Sequence, residues 1–173
     1  MGRLLKDKGV AELMEAHVAL RARGMVVELA LCGDVDAGNP KSFTRTEAET
    51  FGNAEGCKWL GRRDDVLEQI AASHLLVLPT YREGLPRVLL EAGLARRAVV
   101  ATDVPGCREV VENRISGLLC DSKDYLDLAD KMEVMINLSF QERKMMGIKG
   151  REKIEKEFNH KIVNDLYIDA IEN

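Results

Sequence analysis

Along this chain the apolar pattern keeps changing period. Short runs rich in Val, Leu and Ile alternate with longer stretches at helical spacing, and no hairpin turn joins any two of the short runs. Strands that follow one another only through helices pair in parallel by right-handed crossovers, which covers the sheet on both faces. The expected fold class is therefore α/β, a doubly wound parallel sheet of Rossmann-like form. The spacing predicts helices over 9–23 (closed by Gly24), 43–51, 86–95 and from Asp64 or Asp65 through Ala72, a helical turn over 108–111, and helical structure from Tyr125 onward. Strands are predicted over 25–32, 58–60, 75–79, 98–102 and 116–120. Thr44 and Glu47 have capping-box spacing at the start of the second helix.

At 173 residues the chain is the size of one domain and can bury a full core without disulfide or metal staples. Aromatic residues make up only 5%, so that core must be aliphatic. The net charge of −4 excludes a generally basic nucleic-acid binder, which needs a cationic surface to neutralise phosphates. Cys32, Cys57, Cys107 and Cys120 have no metal-ligand spacing, and three sit in or beside apolar runs, so they read as buried thiols of a reducing compartment. With no apolar run of membrane-spanning length and no leader-like opening, the expected location is cytoplasmic.

Chemistry concentrates in the stretch 78–103, LPTYREGLPRVLLEAGLARRAVVATD, which reads strand, Gly-Leu-Pro turn, helix, strand. Glu83 falls in the loop at a strand's carboxyl end, and Glu91 falls eight residues later on the helix. In a doubly wound sheet this is the crevice where ligands bind. Carboxylates there can accept hydrogen bonds from sugar or ribose hydroxyls, Gly84 permits close backbone approach, and the helix start favours a diphosphate. The plainer alternative makes Glu83 a solvated loop residue and Glu91 a surface residue paired with an Arg. Near the start, GRLLKDKG sets Arg3 and Lys8 five apart in a loop flanking the same crevice, where they suit a leaving diphosphate. A doubly wound domain normally opens with a strand, yet this chain passes from Arg3 almost at once into a helix, so the fold is expected to lack its first strand.

Together these residues resemble the donor-binding, C-terminal half of GT-B glycosyltransferases of the large retaining family 4. GRLLKDKGV, LALCGD, WLGRRDDVLEQIAASHLLVLPTYREGLPRVLLEA and VVATDVPGCREVVENRISGLL match its blocks in order, and Glu83 with Glu91 matches its Glu-x7-Glu pair. GDVDAGNPKS followed by FTRTE resembles a subgroup acting in capsular and other surface-polysaccharide assembly. The resemblance implies transfer of a sugar from a UDP-sugar, without a metal or other cofactor, to a glycan or lipid-linked acceptor, with retained anomeric configuration. It implies that Glu83 contacts the donor sugar, Glu91 the ribose diol, and Arg3 and Lys8 the diphosphate. It also implies that Gly84 and Leu85 offer backbone donors and that the nucleobase sits near Gly61 and Arg62. Rival readings are another GT-B enzyme, such as an epimerase or a phosphorylase, and a non-catalytic phosphate-binding domain.

Two departures shape the expectation. Arg96, Arg97 and Ala98 stand where the family usually has Gly-x-Pro. The family's N-terminal acceptor domain has no counterpart in these residues, so residues 1–173 read as a single donor domain, inactive alone, with any peripheral membrane contact made through the other half. Asp34 and Asp36 form a DxD read as a polar turn rather than a metal site. His17, His74 and His160 are too scattered for a metal site or triad, and Met132, Met135, Met145 and Met146 read as core filler.

Overall fold

The computed structural model describes residues 2–158; His160 and the last part of the predicted C-terminal helical region lie outside them. A short 3-10 turn at Lys6–Lys8 leads into α1 (Val10–Ala22), followed by β1 (Leu29–Cys32), α2 (Arg45–Asn53), β2 (Cys57–Gly61), α3 (Val66–Ala72) and β3 (Leu76–Leu78). Then come α4 (Arg87–Leu94), β4 (Val99–Thr102), α5 (Pro105–Val110), β5 (Gly117–Cys120), α6 (Tyr125–Asn137) and α7 (Phe140–Glu157). Every strand pair is parallel, so the fold is the doubly wound α/β class that the alternating periods call for.

Local chemistry accounts for most element ends. The α2 capping box is formed: Glu47 N donates to Thr44 Oγ1 at 3.2 Å while Thr44 N donates to Glu47 Oε2 at 2.7 Å. Asp65 does stand at the N-cap of α3, but its carboxylate makes no capping bond. Instead it accepts from Arg63 Nε at 2.8 Å, Arg63 Nη2 at 2.7 Å and Gln69 Nε2 at 2.9 Å. The strand predicted over 25–32 shortens to Leu29–Cys32, because pairing with β2 begins at Leu29 opposite Cys57 and Val26 is left exposed. The C-terminal helical region splits at Leu138, where Ser139 and Glu142 form a second capping box and start α7 anew.

The five strands form two hydrogen-bonded groups, β1–β2 and β3–β4–β5. The edges of β1 and β3 face each other across a cavity of ≈ 900 Å³ instead of bonding directly. Core packing divides by sheet face instead, with residues of both strand groups in one cluster and Val99 and Val100 of β4 on opposite sides. Leu13, Leu20, Val100, Leu128 and Met135 belong to a cluster beneath α1 and α6, while Ile70, Leu89, Val99, Cys107 and Ile154 belong to another around α4, α5 and α7. The loops at the carboxyl ends of both strand groups open on one side of the molecule, and residues 2–9 run between them.

Candidate functional site

The segment 2–9 is held from both sides by main-chain hydrogen bonds. Gly2 N donates to Cys32 O at 3.0 Å and Leu4 N to Asp34 O at 2.9 Å, at the end of β1. From the other side Tyr81 N donates to Asp7 O at 2.9 Å, just past β3. Gly9 makes this seat possible: its φ is 67°, and a Cβ there would lie 1.9 Å from Pro79 O. The result is that Lys8 reaches Glu83, and Lys8 Nζ forms an ion pair with Glu83 Oε1. The two side chains are 31% and 17% exposed, so the pair is half-buried yet open to a ligand.

A hydroxyl relay fixes the loop that carries Glu83. Thr80, fully buried, donates through Oγ1 to Asp7 O at 3.2 Å and Arg82 O at 3.1 Å, and Thr102 Oγ1 of β4 donates to Thr80 O. The beginning of α5 closes the far wall: a Cβ on Gly106 would lie 2.2 Å from Gly84 O and 2.5 Å from Glu83 O. The neighbouring Cys107 thiol is pushed up to about 11, chiefly by burial and next by the Glu83 carboxylate.

A second cluster lies where β1 and β2 end. Arg3 Nη1 bonds Asp36 Oδ2 at 2.8 Å, and Arg3 borders a cavity of ≈ 560 Å³ together with Cys32, Asp34, Arg62 and Arg63. Gly61 closes β2 with φ 63° and accepts from Gly33 N at 2.8 Å, which sets the turn that presents Arg62. The Arg63 guanidinium, followed by Gln69, holds the Asp65 carboxyl well below the usual carboxylate range.

Lys8 and Glu83 are thus brought into contact, with Gly84 beside them, and Arg3 and Arg62 share one cavity wall. Glu91 sits half-buried on α4, and its carboxylate makes no hydrogen bond or ion pair among the described residues, so the alternative of a surface Glu–Arg pair is not what forms. Leu85 is 48% exposed at the entrance to α4. Asp34 and Asp36 act as a polar turn: Val35 N donates to Asp34 Oδ1 at 2.9 Å, and Asp36 is taken up by Arg3. His17 is buried between Val27 O at 3.0 Å and the Cys57 thiol at 3.4 Å. Among the described residues no three His, Cys, Asp or Glu side chains group as metal ligands. No helix among them is long and apolar enough to cross a membrane.

Sequence reasoning did not single out Asp7, Thr80 or Arg63. Asp7 Oδ1 is buried without a hydrogen-bond partner among the described residues, beside Arg82 Nη2 and Lys41 Nζ, which stand 3.6 and 3.8 Å from Asp7 Oδ2. Only Arg63 carried a local signal, its spacing of two from Asp65.

Known proteins resemble this chain in sequence and in fold. A capsular polysaccharide biosynthesis glycosyltransferase, CapM of Staphylococcus aureus, is 27% identical over 163 residues, 94% of this chain and 42% of CapM. An N,N'-diacetylbacillosaminyl-diphospho-undecaprenol alpha-1,3-N-acetylgalactosaminyltransferase of Campylobacter jejuni is 32% identical over 136 residues, 79% of this chain and 34% of its own length. The chain therefore spans less than half the length of these curated relatives. HepE of Anabaena, solved in complex with UDP, superposes with a TM-score of 0.85 over 99% of this chain and 48% of HepE at 23% identity, which establishes a shared fold. The family Glycosyl transferases group 1 matches residues 1–153, and the chain belongs to that family of GT-B glycosyltransferases.

Proposed function

We infer that residues 1–173 form the donor-binding domain of a retaining glycosyltransferase, which moves a sugar from a UDP-sugar to a glycan or lipid-linked acceptor in surface-polysaccharide assembly. The observation that carries this reading is the Lys8–Glu83 pair, held half-open at the carboxyl end of β3. The names of the capsular and undecaprenol-linked relatives support the acceptor class, and the UDP bound to HepE supports the nucleotide. The chain works in the cytoplasm, in keeping with its four free thiols. Transfer needs a partner half for the acceptor, so this chain alone does not turn over a donor.

A diphosphate entering the crevice offers Lys8 and Arg3 stronger anionic partners than Glu83 and Asp36. Lys8 then turns from Glu83 to phosphate, and the released Glu83 carboxylate accepts hydrogen bonds from donor-sugar hydroxyls. Gly84 and Leu85 present backbone N–H groups beside it, and the uracil occupies the cavity at Gly61 and Arg62. As the bond to the sugar breaks, negative charge grows on the departing phosphate, and cations already in place stabilise it without a metal. Glu91, free of internal partners among the described residues, accepts from the ribose diol.

Calorimetric titration of two variants tests these roles. Glu91→Gln is expected to weaken UDP binding ten- to hundredfold, since a charge-assisted hydrogen bond contributes roughly 1.5–3 kcal/mol. Glu83→Gln should leave UDP affinity nearly unchanged and weaken a UDP-sugar. Equal loss of UDP affinity in both would refute the division between sugar and ribose.

A further inference from the structure

Next to the Lys8–Glu83 pair stand two cations that the proposed donor contacts leave unused. Asp7 directly precedes Lys8 in the chain and Arg82 directly precedes Glu83, while Lys41 comes from the loop after β1. Arg82 Nη2 and Lys41 Nζ lie 3.6 and 3.8 Å from Asp7 Oδ2, both too far for a hydrogen bond. Neither head group has another side-chain partner among the described residues. The Arg82 and Lys41 side chains are 74% and 57% exposed and that of Asp7 only 23%, so the cations stand between the carboxylate and solvent with their N–H donors free.

The backbone is fixed at all three positions. Lys6 N donates to Lys41 O at 2.8 Å, and Lys41 N donates to Asn39 Oδ1 at 3.0 Å. Asp7 O accepts from Tyr81 N at 2.9 Å, and the buried Thr80 Oγ1 donates to Arg82 O at 3.1 Å. Three separate segments thus bring two positive charges to one carboxylate, a net positive spot on a chain whose overall charge is −4. Elsewhere on the same rim the charges are matched one to one: Asp36 takes Arg3 and Glu83 takes Lys8. Fixed backbones that carry free cationic donors suit an anion, because the ligand does not have to order the loops that hold it. None of the three residues lines the nucleotide cavity at Arg3 and Arg62.

We propose that Lys41 and Arg82, set by Asp7, bind a diphosphate carried by the acceptor, so that the acceptor is a diphosphate-linked sugar rather than a neutral glycan. The proposal rests on the donor-domain reading above, which puts the donor sugar at Glu83 and hence the incoming acceptor beside Arg82. Arg82 can engage phosphate oxygens through two parallel donors, and Lys41 adds a compact charge. A diphosphate has a phosphoryl group for each cation, whereas a single phosphate satisfies one and leaves the other on Asp7.

The test uses spectra of the backbone amides and Arg Nε–H groups of the labelled chain, titrated with UDP until Lys8 and Arg62 stop shifting and then with pyrophosphate as the probe. Pyrophosphate is expected to shift Lys41 and Arg82 in a second saturable step while UDP stays bound. In a Lys41→Ala, Arg82→Ala variant, both positions being exposed, that second step should weaken roughly tenfold or more while UDP affinity changes less than about twofold. Pyrophosphate that only displaces UDP, with Lys41 and Arg82 unmoved, overturns the proposal. So do equal shifts from sulfate at the same ionic strength, the mark of an unselective cationic patch. Shifts from phosphatidylglycerol vesicles with none from pyrophosphate also overturn it, in favour of a membrane surface. Failure of UDP itself to bind, read at Lys8 and Arg62, refutes the donor reading and takes the acceptor assignment with it, whereas a normal UDP step without the second one refutes this proposal alone.

Discussion

Cys107 registers the charge beside it. Its thiol is pushed up to about 11 by burial and by Glu83, and Cys120 is pushed up to about 12 mainly by burial. Both remain protonated in the folded chain where unfolded thiols, with an ordinary value of 9.0, ionise. Above that value the unfolded state has released protons that the folded state retains, so the stability present below it declines as pH rises toward the folded values. Urea midpoints measured from about pH 8 to about pH 11 should fall more steeply in the native chain than in a Cys107→Ala, Cys120→Ala double variant. Parallel declines would remove the thiols from the explanation. At this scale the sequence shows Lys8 and Glu83 plainly, because each stands in a loop next to a period change. It cannot show Thr80, whose buried hydroxyl gains meaning only when residues 7 and 82 fold against it.

Helix ends were legible wherever the capping chemistry is local. Thr44 with Glu47 marks α2, and Ser139 with Glu142 repeats the same spacing at α7, although the continuous helical pattern around it conceals the break. β1 was overextended because apolar, β-branched composition does not reveal where a partner strand begins; Met25 to Glu28 lack the parallel partners that Leu29 to Cys32 find. The turn after α4 shows an instructive departure. Arg96 has φ 55°, with Arg96 N donating to Gly93 O and Arg97 N to Ala92 O, both at 2.9 Å. A left-handed residue after a helix is ordinarily Gly, and a side chain there costs roughly 1 kcal/mol. Gly also loosens the unfolded chain. Arg96→Gly should therefore stabilise by about 0.5 kcal/mol net and raise the melting temperature by about 1–2 °C, whereas Arg96→Ala should not. A lowered melting temperature for the Gly variant would contradict this assignment of the strain.

Across the whole molecule, the topology was readable because strand–helix alternation without hairpins admits few arrangements, and all three strand pairs are parallel. The division of the sheet into two groups was not, since nothing local in residues 26–32 or 75–79 says which edge finds a partner. The nucleotide site proposed above spans that division. Arg62 and Arg3 stand on the β1–β2 side and Glu83 on the β3 side, so a nucleotide-sugar bound as proposed must touch both. Amide spectra of the labelled chain during titration with UDP, set beside inorganic phosphate, test this directly. UDP is predicted to shift Arg62 and Arg63 together with Lys8 and Gly84 in one saturable process, while phosphate moves only Lys8 and Gly84, and at higher concentration. Identical patterns for UDP and phosphate, or UDP shifts confined to one side of the crevice, would contradict the reading of this chain as a UDP-sugar donor domain.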